Sequence, residues 1–210
     1  MSILNEDYIH FYSNWFGSED KAKTFLEKCY EEGNLVSRRL ANKLARVIIF
    51  SDFCMNNKKG NRSIQIFLWM ALIESTEYIH FPEKDSEKVD KLGVILRFFR
   101  KYVTQDDKEE LLRNLRRSVL DDRFETQTEI SIDIIARILY SIRNEFVHGM
   151  DFHTSLFSES NDDNYLETIK LREFKKDDKE ERHYEMSITH QQLRAIIIRS
   201  FINMIESEMR

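Results

Sequence analysis

Apolar positions recur along most of the chain at intervals of three and four, the repeat of a helix buried on one side, and turn to alternation only near residues 165 to 188. Ser18 offers an N-cap to a predicted helix reaching about Glu32, and a longer one covers Leu35 to Phe53, with Leu40, Leu44, Val47 and Ile48 on one side. The stretch "NNKKGN" interrupts it. From Asn61 as cap, "RSIQIFLWMALIESTEYIHF" is apolar nearly all round, which predicts a helix at the centre of a bundle, ended by Pro82. Ser86 then opens "SEKVDKLGVILRFFRKYV", where Val89, Leu92, Leu96 and Phe99 recur at helical spacing. A shorter amphipathic helix is predicted over "DDKEELLRNLRRSVL".

In "SIDIIARILYSIRNEFVHG", Ser131 suits an N-cap, Asp133 the first turn and Gly149 a left-handed exit. The following polar run, "SESNDDN", predicts a loop over residues 150–164. Alternation in "YLETIKLREF" and "RHYEMSI", separated by "KKDDKEE", predicts a charged β-hairpin. Thr189 and Gln192 form a capping box ahead of the last amphipathic helix, "HQQLRAIIIRSFINMIESEM". The expected fold is therefore mainly α, an antiparallel helical bundle with a small β-hairpin before its C-terminal helix. With no internal repeat or boundary, residues 1–210 read as one domain: N-terminal helices in 1–60, the bundle core in 61–149, loop and hairpin in 150–189 and the last helix in 190–210.

Composition supports this picture, since 1 Pro and 5 Gly leave few enforced breaks and a hydrophobic fraction of 41% is enough for a core. A net charge of −5 argues against coating a nucleic-acid backbone, so any such contact needs a local basic patch. Candidates are Lys58, Lys59 and Arg62, then Arg97, Arg100 and Lys101, then Arg113, Arg116 and Arg117. Cys29 and Cys54 form no C-x-x-C pair, and the N-terminal stretch lacks a secretion signal, which predicts a reduced, cytoplasmic protein. The longest apolar stretch, Ile64 to Ile73, is too short to span a bilayer.

The candidate chemistry lies in "RNEFVH". On an ideal helix Ile135, Ile138, Leu139, Ile142 and Phe146 form an apolar stripe. Arg143 flanks that stripe, and Asn144 and His148 are neighbours at i and i+4, so the three bound a polar surface centred near Tyr140. A guanidinium grips phosphate oxygens bidentately, and an imidazole exchanges protons near neutrality. RNA brings its own nucleophile, the 2′-hydroxyl, so neither a metal nor another cofactor is required. Because both residues lie off the stripe, alanine at Arg143 or His148 is expected to spare the fold. The alternative is an ordinary helix end, with His148 interacting with the last carbonyls.

The stretch resembles the R-x4-H motif of the HEPN superfamily, in its form with a polar residue after the arginine, and the helices from about Asn61 to Gly149 resemble that family's bundle. The likeness is greatest to Apea-like and related HEPN proteins of prokaryotic defence systems. It implies a metal-independent endoribonuclease, a toxin or antiviral effector, with Arg143 and His148 as the catalytic pair and Asn144 in support. It also implies a homodimer with a composite site, and an antitoxin or defence-system partner. Acidic residues on an earlier helix assist in some members, which points to Glu74 or Glu77 as a partner of Arg143. Members paired with a nucleotidyltransferase antitoxin tend to carry a tyrosine two places after the histidine, where this chain has Met150. The family also contains catalytically silent interaction or nucleotide-binding modules, the main alternative.

Two other constellations compete. Asp163, Glu173 and Lys175 follow the D…E-x-K order of Mg²⁺ nucleases, although only two strand-like segments are available to hold them. His148 and His153 are close in sequence but lack a third zinc ligand. The aromatic run "RFFRKY" places Tyr102 among the basic residues of the second patch, where a base could stack.

Overall fold

Side-chain caps divide the chain into helices. In the computed structural model, which describes residues 4–57, 62–83, 89–117, 130–149, 167–175, 178–186 and 188–209, the first is α1 (Glu6–Phe16). The Asn5 side chain accepts from the Asp7 N–H at 2.8 Å, and Gly17 leaves the helix at φ 75° while its N–H bonds the Ser13 carbonyl. The sequence expectation lacks this helix, although Asn5, an acidic first turn and Gly17 mark it. Ser18 caps α2 (Glu19–Tyr30) as predicted, and α3 (Leu35–Asn57) runs on past Phe53.

The predicted single central helix is two: α4 (Arg62–Glu74) and α5 (Thr76–His80). Ser75 and Thr76 donate their hydroxyls back to the Leu72 and Ile73 carbonyls at 2.6 and 2.7 Å, which competes with the helical ladder and ends α4 at Glu74. The proposed cap Asn61 lies outside the described residues. Next comes α6 (Lys91–Tyr102), capped by Asp90, whose carboxylate accepts from the Gly93 N–H at 2.9 Å. Val89 and Asp90 are not helical, which corrects a start at Ser86, itself outside the described residues.

Thr104 caps α7 (Gln105–Arg113), which ends as Asn114 bonds back to the Glu110 carbonyl. The helix predicted through Leu120 gives way there to a strand, β1 (Leu115–Arg117). The motif helix α8 (Ile132–Gly149) starts just after Ser131, and the expected exit loop lies outside the described residues. Two more strands, β2 (Glu167–Lys175) and β3 (Asp178–Met186), pair antiparallel, and β1 joins the other edge of β3. Lys175 pairs with Asp178, so the strands run through most of the stretch "KKDDKEE" expected to separate them. The last helix, α9 (His190–Ser207), has both halves of the predicted capping box: Thr189 accepts from the Gln192 N–H, and Gln192 from the Thr189 N–H.

The fold is a mainly helical bundle. Helix α4 packs against α3, α6 and α8; α9 lies on α3 and α6; α1 and α2 lean on α3; β2 runs beside α8. Gln65, Ile66, Trp69, Met70, Leu72 and Ile73 are all buried, which is the nearly all-round burial that the apolar pattern of α4 predicts. Phe98 and Phe201 meet across α6 and α9 with centroids 4.7 Å apart. Arginine–carboxylate pairs join neighbouring helices: Arg100 to Asp133 links α6 with α8, Arg199 to the buried Asp107 links α9 with α7, and Arg194 to Asp52 links α9 with α3. No helix among the described residues is long and apolar enough to cross a membrane.

Candidate functional site

Because α4 stops at Glu74, its last carboxylate meets α8, which packs alongside it. Glu74 Oε2 accepts from an Arg143 terminal nitrogen at 3.0 Å, and Oε1 lies 2.8 Å from Nε without hydrogen-bond alignment. The other terminal nitrogen donates to Asn144 Oδ1 at 3.1 Å, and the guanidinium carbon stands 6.0 Å from the Tyr140 ring centre. The Arg143 and Glu74 side chains are only 11% and 10% exposed. Removing both charges from water is costly, and their mutual attraction offsets that cost only while both are present. Of the sequence candidates for this partner, Glu74 takes the role, while Glu77 pairs with Arg97 at 2.8 Å. The expectation that Arg143 stands off the buried face and tolerates alanine is corrected: its head is turned inward to an acid on another helix.

The apolar stripe holds, since Ile135, Ile138, Leu139 and Ile142 are buried. Phe146 stacks on Phe67 at 4.7 Å and 26°, fastening the last turns of α8 to α4. Tyr140 is half-buried against this core, so it does not centre an open polar surface. His148 is exposed in the final turn, and its ring has no hydrogen bond among the described residues. By helix geometry it lies about 40° around from Asn144 and about 140° from Arg143, some 7.5 Å further along the axis. Asn144 is thus bonded to the guanidinium, not the imidazole, and Arg143 and His148 leave α8 in different directions.

The other candidates fall into distinct settings. Arg97 and Arg100 have carboxylate partners, and the Lys101 ammonium lies 4.8 Å from the Tyr102 ring centre. Tyr102 packs partly buried beside Phe98. Glu173 and Lys175 sit on β2 opposite Glu180 and Asp178, while Asp163, Met150 and His153 lie outside the described residues. Three or more potential metal ligands do not gather anywhere among the described residues. Burial pushes the Cys29 thiol up to about 12, which removes it as a nucleophile near neutrality. Comparison with protein-family models, with curated proteins and with solved structures gave no match to this chain.

Proposed function

We propose that this protein is a HEPN-type, metal-independent endoribonuclease acting as a toxin or defence effector, with RNA as substrate. The observation that carries this reading is the Arg143 guanidinium, fixed in orientation by Glu74 and Asn144, on the same helical end as the exposed His148 imidazole. Two of its N–H groups donate to Glu74 and Asn144, which leaves others for a phosphate oxygen. In the reaction the RNA 2′-oxygen attacks the adjacent phosphorus, the bond to the 5′-oxygen breaks, and a 2′,3′-cyclic phosphate forms. One imidazole accepts the 2′-hydroxyl proton and another donates a proton to the departing 5′-oxygen.

A single α8 cannot supply both imidazoles, and its Arg143 and His148 diverge. A twofold pair of chains would bring two histidines to one cleft, with Val147, 42% exposed beside His148, at the interface. The homodimer therefore belongs to the proposal, as does a charged hairpin formed by β2 and β3 beside the motif helix. The second reading, a catalytically silent HEPN interaction or nucleotide-binding module, draws on the burial of Arg143 under Glu74, which suits a structural arginine.

His148→Ala gives the clean test because the residue is exposed. Wild-type protein in EDTA should cut single-stranded RNA to cyclic-phosphate ends and spare DNA, and the variant should lose at least a hundredfold in rate, the usual scale of general acid–base catalysis. Mixed wild-type and His148→Ala subunits should not give half the wild-type rate per chain if the site is composite. Equal cutting by the variant would sink the mechanism, and RNA binding without cleavage would favour the silent module.

A further inference from the structure

One face of α3 carries cations and aromatic rings in line: Arg39, Arg46, Phe50 and Phe53 are exposed there and Lys43 is half-buried. Arg39, Lys43, Arg46, Phe50 and Phe53 follow one another at steps of four and three, which at about 100° per residue keeps all five within a stripe roughly 80° wide. The buried positions Ser37, Leu40, Ala41, Leu44, Ala45, Ile48 and Ser51 occupy the opposite side, where α1, α2, α4 and α9 pack. Phe50 and Phe53 are 54% and 63% exposed, unusual for phenylalanine.

Arg39, Lys43 and Arg46 have no ion pair among the described residues, whereas Arg97 and Arg100 of α6, Arg143 of α8, and Arg194 and Arg199 of α9 are paired. The only acid on α3, Asp52, is engaged by Arg194. Partial burial, and to a lesser degree the neighbouring Arg46, draw the Lys43 ammonium below the ordinary lysine range.

We propose that the stripe Arg39–Lys43–Arg46–Phe50–Phe53 of α3 binds single-stranded nucleic acid, the cations tracking phosphates and the two rings stacking on bases. Stacking platforms set in line with a cationic track are the general means of holding a single strand, and the stripe's length, about 21 Å at 1.5 Å per residue, accommodates several nucleotides. A second copy of the chain fits poorly, because two cationic stripes repel. A membrane-lying helix buries a broad apolar face with its cations on the polar side. Here rings and cations share one narrow line. The surface is separate from Arg143 and His148, and α4 packs between α3 and α8. If the RNase reading holds, this stripe carries the strand whose cleavage occurs at α8.

The test is anisotropy of a labelled oligouridine titrated with the full-length His148→Ala protein, so that cleavage does not interfere. Arg39→Ala/Lys43→Ala/Arg46→Ala should weaken binding at least tenfold and flatten the salt dependence by about 2 in slope, near 0.7 for each phosphate no longer neutralised. Phe50→Ala/Phe53→Ala should weaken it about tenfold with the slope unchanged, as expected when base stacking is removed. Unaltered circular dichroism is expected for both, since these side chains lie outside the core. Unchanged affinity in both variants overturns the proposal. So does equal binding of duplex and single strand, or binding to anionic vesicles in place of RNA. A wild-type protein that binds through α3 but never cleaves leaves this surface standing and removes the RNase reading; cleavage indifferent to the α3 variants does the reverse.

Discussion

A guanidinium that is nine-tenths buried requires an answering charge, and among the described residues Arg143 finds it in one carboxylate, that of Glu74. Glu74→Ala should therefore destabilise the fold by about 3–5 kcal/mol, the usual cost of stranding one member of a buried pair. Urea unfolding measures it. Adding Arg143→Met should recover most of the loss, since replacing both charges by apolar groups removes the stranded one. A cost below about 1 kcal/mol for the single variant would mean that the pair opens freely to solvent. Much of the candidate site is legible in the sequence. The Arg143, Asn144 and His148 spacing and the apolar stripe can be read from the residues in order, whereas Glu74 or Glu77 as a partner comes only from the resemblance to HEPN proteins. The direction of the guanidinium is not legible, because a helical wheel places Cβ atoms while the head of a long side chain goes where its partner is. That partner is 69 residues away on another helix.

At the scale of elements, the clearest sequence signals are the local ones. Ser18 and Thr189 are legible as caps because the side chain that accepts the orphan N–H sits within three residues of it. Thr189→Ala should cost about 1 kcal/mol in denaturant unfolding by removing that acceptor and half of a reciprocal box, whereas Thr189→Ser should cost little. Equal stability of the alanine variant would show that α9 is held by packing alone. Signals that compete are harder to read. Ser75 and Thr76 interrupt an otherwise unbroken apolar helix with hydroxyl bonds of 2.6 and 2.7 Å, and nothing in the apolar pattern distinguishes them from exposed helix residues. The strand β1 is hidden for another reason. Its pairing partner β3 lies far along the chain, and three residues carry no period of their own. The α3 stripe is hard to recognise as a binding face because its cations and rings look, in one dimension, like the polar side of a helix that happens to contain phenylalanines.

Across the whole molecule, Asp52 joins more elements than its single charge suggests. It accepts two bonds from Arg194 on α9, at 3.0 and 2.5 Å, and one from Gln65 on α4 at 3.0 Å, while the Arg194 guanidinium lies 5.9 Å from the Trp15 ring of α1. With both charged side chains partly exposed, at 34% and 26%, solvent screening reduces what the cluster contributes. Asp52→Ala should lower stability by about 1–2 kcal/mol, measured by urea unfolding. The two ends of this link are separated by 142 residues, which has a consequence for the rate as well as for the equilibrium. Closing so long a loop before any contact repays it is unfavourable, so the docking of α9 onto α3 belongs late on the folding path, after the local helices have formed. In stopped-flow measurements Asp52→Ala should then leave the folding limb almost unmoved and speed unfolding roughly five- to thirtyfold, making α9 the element whose release sets the lifetime of the native state.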